Sequence, residues 1–372
     1  MLQVFIQAQA WDLDNGRLDA ELDYVQGTLG ATGLTLVAGC GPQAALCVRR
    51  GADLAVIRTR GGLLYTPDDE CYTATRCKPV VAEIARGRNR LAAAAAAVRD
   101  RGLGLRMAVS TLRLGRLAER HEACACRNVL NDVSPTRLCP ANPDVRAMVA
   151  ALVAEASRAF SPDAVVLQDW DLGWFGEATA GLTVPAAGGD LVDGLLAVCF
   201  CESCLQQAAE QGLDVDAAVR SVRVTLHNVM ESGTDRGRSF AEHLAGDPVL
   251  RAYVDGQSAR LARATAHLAG ASDIPIILHR TGREHADPLE FVQRSVTGVC
   301  WQYSGSEFPD GCELEFRVDA DTVSRPQALV ADVAAATARS VPALTFAELG
   351  VFSPPAGEAV KQAIRYARRS TA

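Results

Sequence analysis

Residues 142–171 read NPDVRAMVAALVAEASRAFSPDAVVLQDWD, and this stretch decides the fold class. Asn142 followed by Pro143 is a helix start: the asparagine caps free amides, and the proline fills a first-turn position that needs no donor. The helical pattern runs to Phe160. After a short turn, Ala164–Gln168 is an apolar run of strand length. A helix handing over to such a strand is the unit of a parallel sheet covered by helices.

Working outward, the same alternation fills the chain. Strands are expected at Leu2–Ala8, Leu34–Ala38, Leu105–Ser110, Ala164–Gln168, Pro275–His279, Val299–Tyr303, Leu314–Val318 and Ala343–Ala347. Helices are expected at Leu18–Leu29, Pro79–Arg101, Pro143–Phe160, Val249–Ala269, Pro326–Ala338 and Gly357–Arg369. Eight strands alternating with helices predict an α/β chain folded as a (β/α)8 TIM barrel over residues 1–372. Two stretches depart from a bare barrel. Ala52–Ile57 is a ninth apolar run, an extra strand or a loop excursion, and Asp190–Gly246 is a long, mainly helical insertion between the fourth and fifth strands. An open doubly wound sheet is the alternative, but its glycine-rich phosphate fingerprint is missing after the first strand.

Composition bounds the partners. The chain has 372 residues, 49% hydrophobic and 22% charged, with a net charge of −7. Barrels take about 250 residues and tolerate well over that. The acidic balance argues against nucleic acid, whose phosphates need a basic stripe. No run of about 18 apolar residues suggests a membrane span. The segment MLQVFIQAQAWDLD lacks the positive start and small-residue cleavage site of a signal peptide. The expectation is a soluble, cytoplasmic protein, with a homo-oligomer left open.

Twelve cysteines are many for a reducing compartment, where clustered thiols are more often ligands than disulfides. Cys199-Phe-Cys201-Glu-Ser-Cys204 lets three thiolates converge on one tetrahedral ion, with a fourth ligand from Cys124, Cys126 or Cys139. A closed thiolate set favours structural zinc over an iron–sulfur cluster. Cys40, Cys47, Cys300 and Cys312 read as buried packing.

The segments LCPANPDVR, AVVLQDWDLGW and CFCESC together resemble the family 42 β-galactosidases and their barrel relatives. The resemblance implies a barrel, carbohydrate chemistry and a structural zinc held by Cys139, Cys199, Cys201 and Cys204. It also implies that Asp169-Trp170-Asp171-Leu172-Gly173 occupies the place of that family's Asp-Asn-Glu-Tyr-Gly, with Asp171 where its acid/base glutamate stands. It covers residues 139–204; beyond them only the barrel pattern is shared.

A barrel builds its active site at the C-terminal ends of its strands. All four tryptophans fall near such ends: Trp11, Trp170, Trp174 and Trp301, with Tyr303 beside the last. Aromatic faces stack on sugar rings, which makes these the expected substrate contacts. Glycoside hydrolysis commonly takes two carboxyl groups across the scissile bond. Asp171 is the leading acid/base residue, with Asp169 on the same side of an extended chain. Glu348 is the expected partner, in competition with Glu315 and Asp319, while Glu307, Asp12 and Asp14 read as loop or capping residues. His279 and Arg280 end the fifth strand and offer contacts to substrate hydroxyls or a carboxylate, and Arg58 and Arg60 suggest an acidic group. The competing readings are a barrel that binds a sugar or glycoconjugate without cleaving it, and an isomerase or lyase using His279.

Overall fold

A computed structural model describes residues 2–13, 16–48, 54–87, 90–172, 189–232, 237–281, 299–304, 314–318, 320–323 and 325–370. Eight parallel strands form its centre: β1 (Gln3–Gln9), β2 (Gly33–Cys40), β3 (Gly104–Ser110), β4 (Ala164–Gln168), β5 (Ile276–Thr281), β6 (Val299–Ser304), β7 (Leu314–Val318) and β8 (Ala343–Phe346). Each pairs with the next in parallel register from β1 through β8. β8 pairs in turn with β1, through Gln3 opposite Ala343 to Ile6 opposite Phe346. The sheet is thus a curled parallel α/β sheet whose pairing returns to its first strand.

Helices connect the strands: α1 (Leu18–Asp23), α2 (Arg90–Asp100), α3 (Pro143–Phe160), α4 (Gly189–Ala197), α5 (Glu202–Glu210), α6 (Val215–His227), α7 (Phe240–Gly246), α8 (Pro248–Gly270), α9 (Pro326–Ala338) and α10 (Pro354–Ser370). The expected start of α3 is seen directly, the Asn142 side chain accepting from the Asp144 amide at 2.9 Å. The expected helix from Pro79 instead begins at Arg90, because Val81 bridges to Leu63 and holds that segment extended. The helix expected over Leu18–Leu29 keeps its span but closes with a six-residue π-helical turn, Tyr24–Leu29. The ninth apolar run pairs as Ala55–Thr59 against Gln43–Cys47 in an antiparallel hairpin outside the ring.

Two apolar clusters form the core. One surrounds the ring, with Val4, Ile6, Ala8, Leu34 and Leu36 packed against α2, α3, α9 and α10. The other joins α4–α7 to the cysteine segments and to Leu250, Tyr253 and Val254 at the start of α8. Alternate residues of β1 face the lumen, where side chains are polar. Gln7 accepts from Gln168 Nε2 at 3.3 Å and pairs with Arg317, on strands not adjacent to β1, a reach possible only through the interior. Lower down, Arg106 makes a two-pronged ion pair with Glu315 at 2.5 and 2.6 Å, its guanidinium lying 3.6 Å from the Phe5 ring centroid. Gly33 leaves room for that ring: a Cβ there would sit 2.5 Å from Phe5 and 2.6 Å from the Gly104 carbonyl. Among the described residues, no single helix is long and apolar enough to cross a membrane.

Candidate functional site

The polar lumen opens at the C-terminal strand ends, where four carboxyl groups are placed. Glu348 follows β8, is half-buried, and its Oε1 accepts from Gln7 Nε2 at 3.0 Å and Gln9 Nε2 at 3.2 Å. Gln7 in turn accepts from Gln168, so one side chain ties the end of β8 to the end of β4. Asp169 comes next in the chain, half-buried, its Oδ2 accepting from the Ser110 hydroxyl at 2.5 Å. Its φ of +61° lies in the left-handed region, which aspartate tolerates better than most residues and which here turns the chain at the strand end. The Gln9 side-chain oxygen is buried and has no donor among the described residues.

Asp12 completes this rim. Its carboxylate accepts the Gln9 amide at 2.9 Å, the capping role that the sequence suggests. Burial, assisted by the nearby charge of Glu348, pushes it up to about 7, against hydrogen bonds from the Gln9 and Gly350 backbone that act the other way. A Cβ at Gly350 would fall 2.1 Å from Asp12 Oδ1, so this contact needs a glycine.

Asp171 has a different environment. Its Oδ1 is paired with the guanidinium of Arg137, which is buried, and both line a small pocket beside the cysteines. An acid/base carboxyl must exchange its proton with substrate, and this oxygen is already engaged. Glu315, one of the two competitors for the second carboxylate, is buried and ion-paired with Arg106.

Two of the tryptophans expected at the mouth are placed. Trp11 and Trp170 are buried, 5% and 3% exposed. Trp170 turns outward between β4 and α8, donating from Nε1 to Thr265 Oγ1 at 2.9 Å. Trp11 packs in the apolar cluster around the ring. His279 lies within β5, two residues before its end, and is half-buried. Arg280, Cys300, Trp301 and Tyr303 have placed backbones in β5 and β6, and their side chains lie outside the described set; Asp14, Trp174, Glu307, Cys312 and Asp319 lie outside the described residues altogether. Arg58, in the hairpin, and Arg60, just after it, are exposed.

Beside the barrel, Cys139, Cys199, Cys201 and Cys204 converge, with their four sulfur atoms within 4.8 Å of one another and all four residues buried. Cys139 Sγ lies 3.5 Å from Cys204 Sγ and 3.8 Å from Cys199 Sγ. These separations exceed a disulfide bond and match the roughly 3.8 Å edge of a tetrahedron with Zn–S bonds of about 2.3 Å. The donor set therefore fits a four-thiolate ion. Hydrogen bonds from Cys126 and the other thiols hold Cys199 well below the usual thiol range. Its sulfur also accepts from the Arg127 amide at 3.4 Å, and Tyr253 and Gln257 fix its carbonyl at 2.9 and 2.7 Å. Cys126 sits alongside with its thiol toward the Leu138 carbonyl, while Cys124 hydrogen-bonds to Cys77. Cys40 and Cys47 are buried and take part in no disulfide.

The mouth residues that the sequence reading missed are Gln7, Gln9, Gln168, Ser110 and Arg317. A signal was present: in QVFIQAQ, LRMAVS and LEFRV the polar residues fall on one face of a period-two run.

Comparison with known proteins gives no matching family model and no matching curated protein. Solved structures do match. An α-L-fucosidase isoenzyme from Paenibacillus thiaminolyticus shares 12% identity at a TM-score of 0.54, covering 99% of this chain and 49% of that one. A β-galactosidase from Marinomonas ef1 shares 10% identity at 0.54, covering 99% and 60%. The chain thus spans half to three fifths of the length of these two. The β-amylase catalytic domain from Paenibacillus polymyxa shares 10% identity at 0.53, covering 97% of both chains. At such identities the likeness is one of fold: these are glycoside hydrolase barrels, and family 42 is not singled out among them.

Proposed function

We propose that this chain is a (β/α)8 barrel with a helical insertion between β4 and β5, acting as a glycoside hydrolase or related carbohydrate-processing enzyme. The observation that supports the reading is the Gln7 bridge, which joins Glu348 to Gln168, the residue next to Asp169. Glu348, oriented by two amide donors, is the nucleophile or base. Asp169 is the opposing acid, in place of Asp171, whose oxygen Arg137 occupies. Wild-type protein is expected to release nitrophenol from at least one aryl glycoside of a broad panel. Glu348→Gln and Asp169→Asn should each lose about 10²–10⁴-fold in rate, the range for a general acid or base, whereas Asp171→Asn should stay within about tenfold of wild type. Full activity in Glu348→Gln would defeat the assignment.

The Arg137–Asp171 pair favours a second reading, sugar binding without cleavage, which saturable binding with no turnover across the panel would support. We further propose a structural zinc on Cys139, Cys199, Cys201 and Cys204. It would tie the segment before α3 to the insertion. A cytoplasmic location fits with it, since thiols must stay reduced to act as ligands.

A further inference from the structure

Outside the barrel, between α3, α5 and α8, lies a cleft of about 480 Å³ with Trp170 in its wall. Arg146, Arg260, Arg263 and His267 line it together with Gln207, and among the described residues no acidic side chain does. In a chain of net charge −7, three guanidinium groups and an imidazole around one cavity are a concentration against the overall balance. Arg146 spends one nitrogen on the Ala141 carbonyl at 2.6 Å, while Arg263 and His267 are exposed along the rim.

Arg260 is the telling residue. It is 7% exposed, and its Nη1 donates to Gln211 Oε1 at 3.1 Å. Its Nε and Nη2 are buried with no acceptor among the described residues, and the side chain borders both this cleft and the small pocket beside the cysteines. Buried guanidinium donors without acceptors are costly, so such a group calls for an explanation. A planar guanidinium edge matches two oxygens of a phosphate or carboxylate, and several cations together suit a dianion better than a single negative charge. The volume falls in the range of pockets for small organic ligands, larger than a bare oxyanion needs.

We propose that this cleft binds a phosphorylated small molecule, its phosphomonoester held by Arg260 and Arg263 and its organic part lying along Trp170. The site is separate from the barrel mouth and does not depend on the chemistry assigned there.

Calorimetric titration of the full chain tests it with glucose 6-phosphate, glycerol 3-phosphate and AMP, alongside glucose and inorganic phosphate. At least one ester should bind saturably and weaken at least tenfold in Arg263→Gln, a rim change that leaves the buried packing alone; Arg260→Gln should abolish binding if that variant folds. No binding by any of the three esters would overturn the proposal. So would inorganic phosphate binding as tightly as the best ester, or ester affinity unchanged in Arg263→Gln, which would put the ligand elsewhere.

Discussion

Asp12 is the sharpest place to test the electrostatics of the rim. Its carboxyl is raised from 3.8 to about 7 in the fold, burial being the main cause. In the unfolded chain the group ionises near its ordinary value, so between the two values the folded state holds the extra proton. Stability therefore falls as pH rises through this window and levels off above it. Over the whole window the loss is about 4 kcal/mol, and between pH 5 and pH 8 about 2–3 kcal/mol. Asp12→Asn removes the titration while keeping shape. It leaves an oxygen for the Gln9 amide and turns an NH₂ toward the Gly350 amide, a penalty that is constant with pH. Urea unfolding at pH 5 and pH 8, compared between wild type and Asp12→Asn, isolates the titrating part. The stability difference should shift by about 2–3 kcal/mol in favour of the variant at the higher pH. A difference flat across pH would refute the reasoning and mean that this carboxyl ionises in the fold as it does in water.

Further outcomes follow from the lumen and the thiol cluster. Arg106→Met leaves Glu315 buried without its partner and should cost about 3–5 kcal/mol of unfolding free energy; Arg106→Met with Glu315→Leu should recover most of it, and additive losses in that double-mutant cycle would show that the pair is not coupled. Elemental analysis of the purified protein should give about one zinc per chain, and Cys201→Ser should lose both the metal and thermal stability. An intact, equally stable Cys201→Ser protein would reduce the cluster to packing.

The strand positions were legible because each is a short apolar run between turn signals, and helices α3 and α9 begin at the prolines that mark them. The thiol set was legible through spacing. What the lumen holds was harder to see. The sequence reading weighed tryptophans by their distance from a strand end, but strand-end position does not determine whether a side chain points inward or outward. Trp170 follows a left-handed Asp169, and that turn sends the indole to α8. Asp171 stands out through the family resemblance and its place after a strand, and Arg137, 34 residues earlier, is what occupies it. Glu315 reads as one more acid until the fold brings Arg106 across the ring, 209 residues away.

The 23-residue helix α8 belongs to both apolar clusters. Near its start, Tyr253 and Gln257 grip the Cys199 carbonyl; farther on, Thr265 receives the Trp170 indole. Those grips are joined by a stiff rod about 18 Å long at 1.5 Å per residue. Oxidation of the thiol knot would therefore not remain a local injury: the rod would carry the slackening to the loop after β4 that bears Asp169.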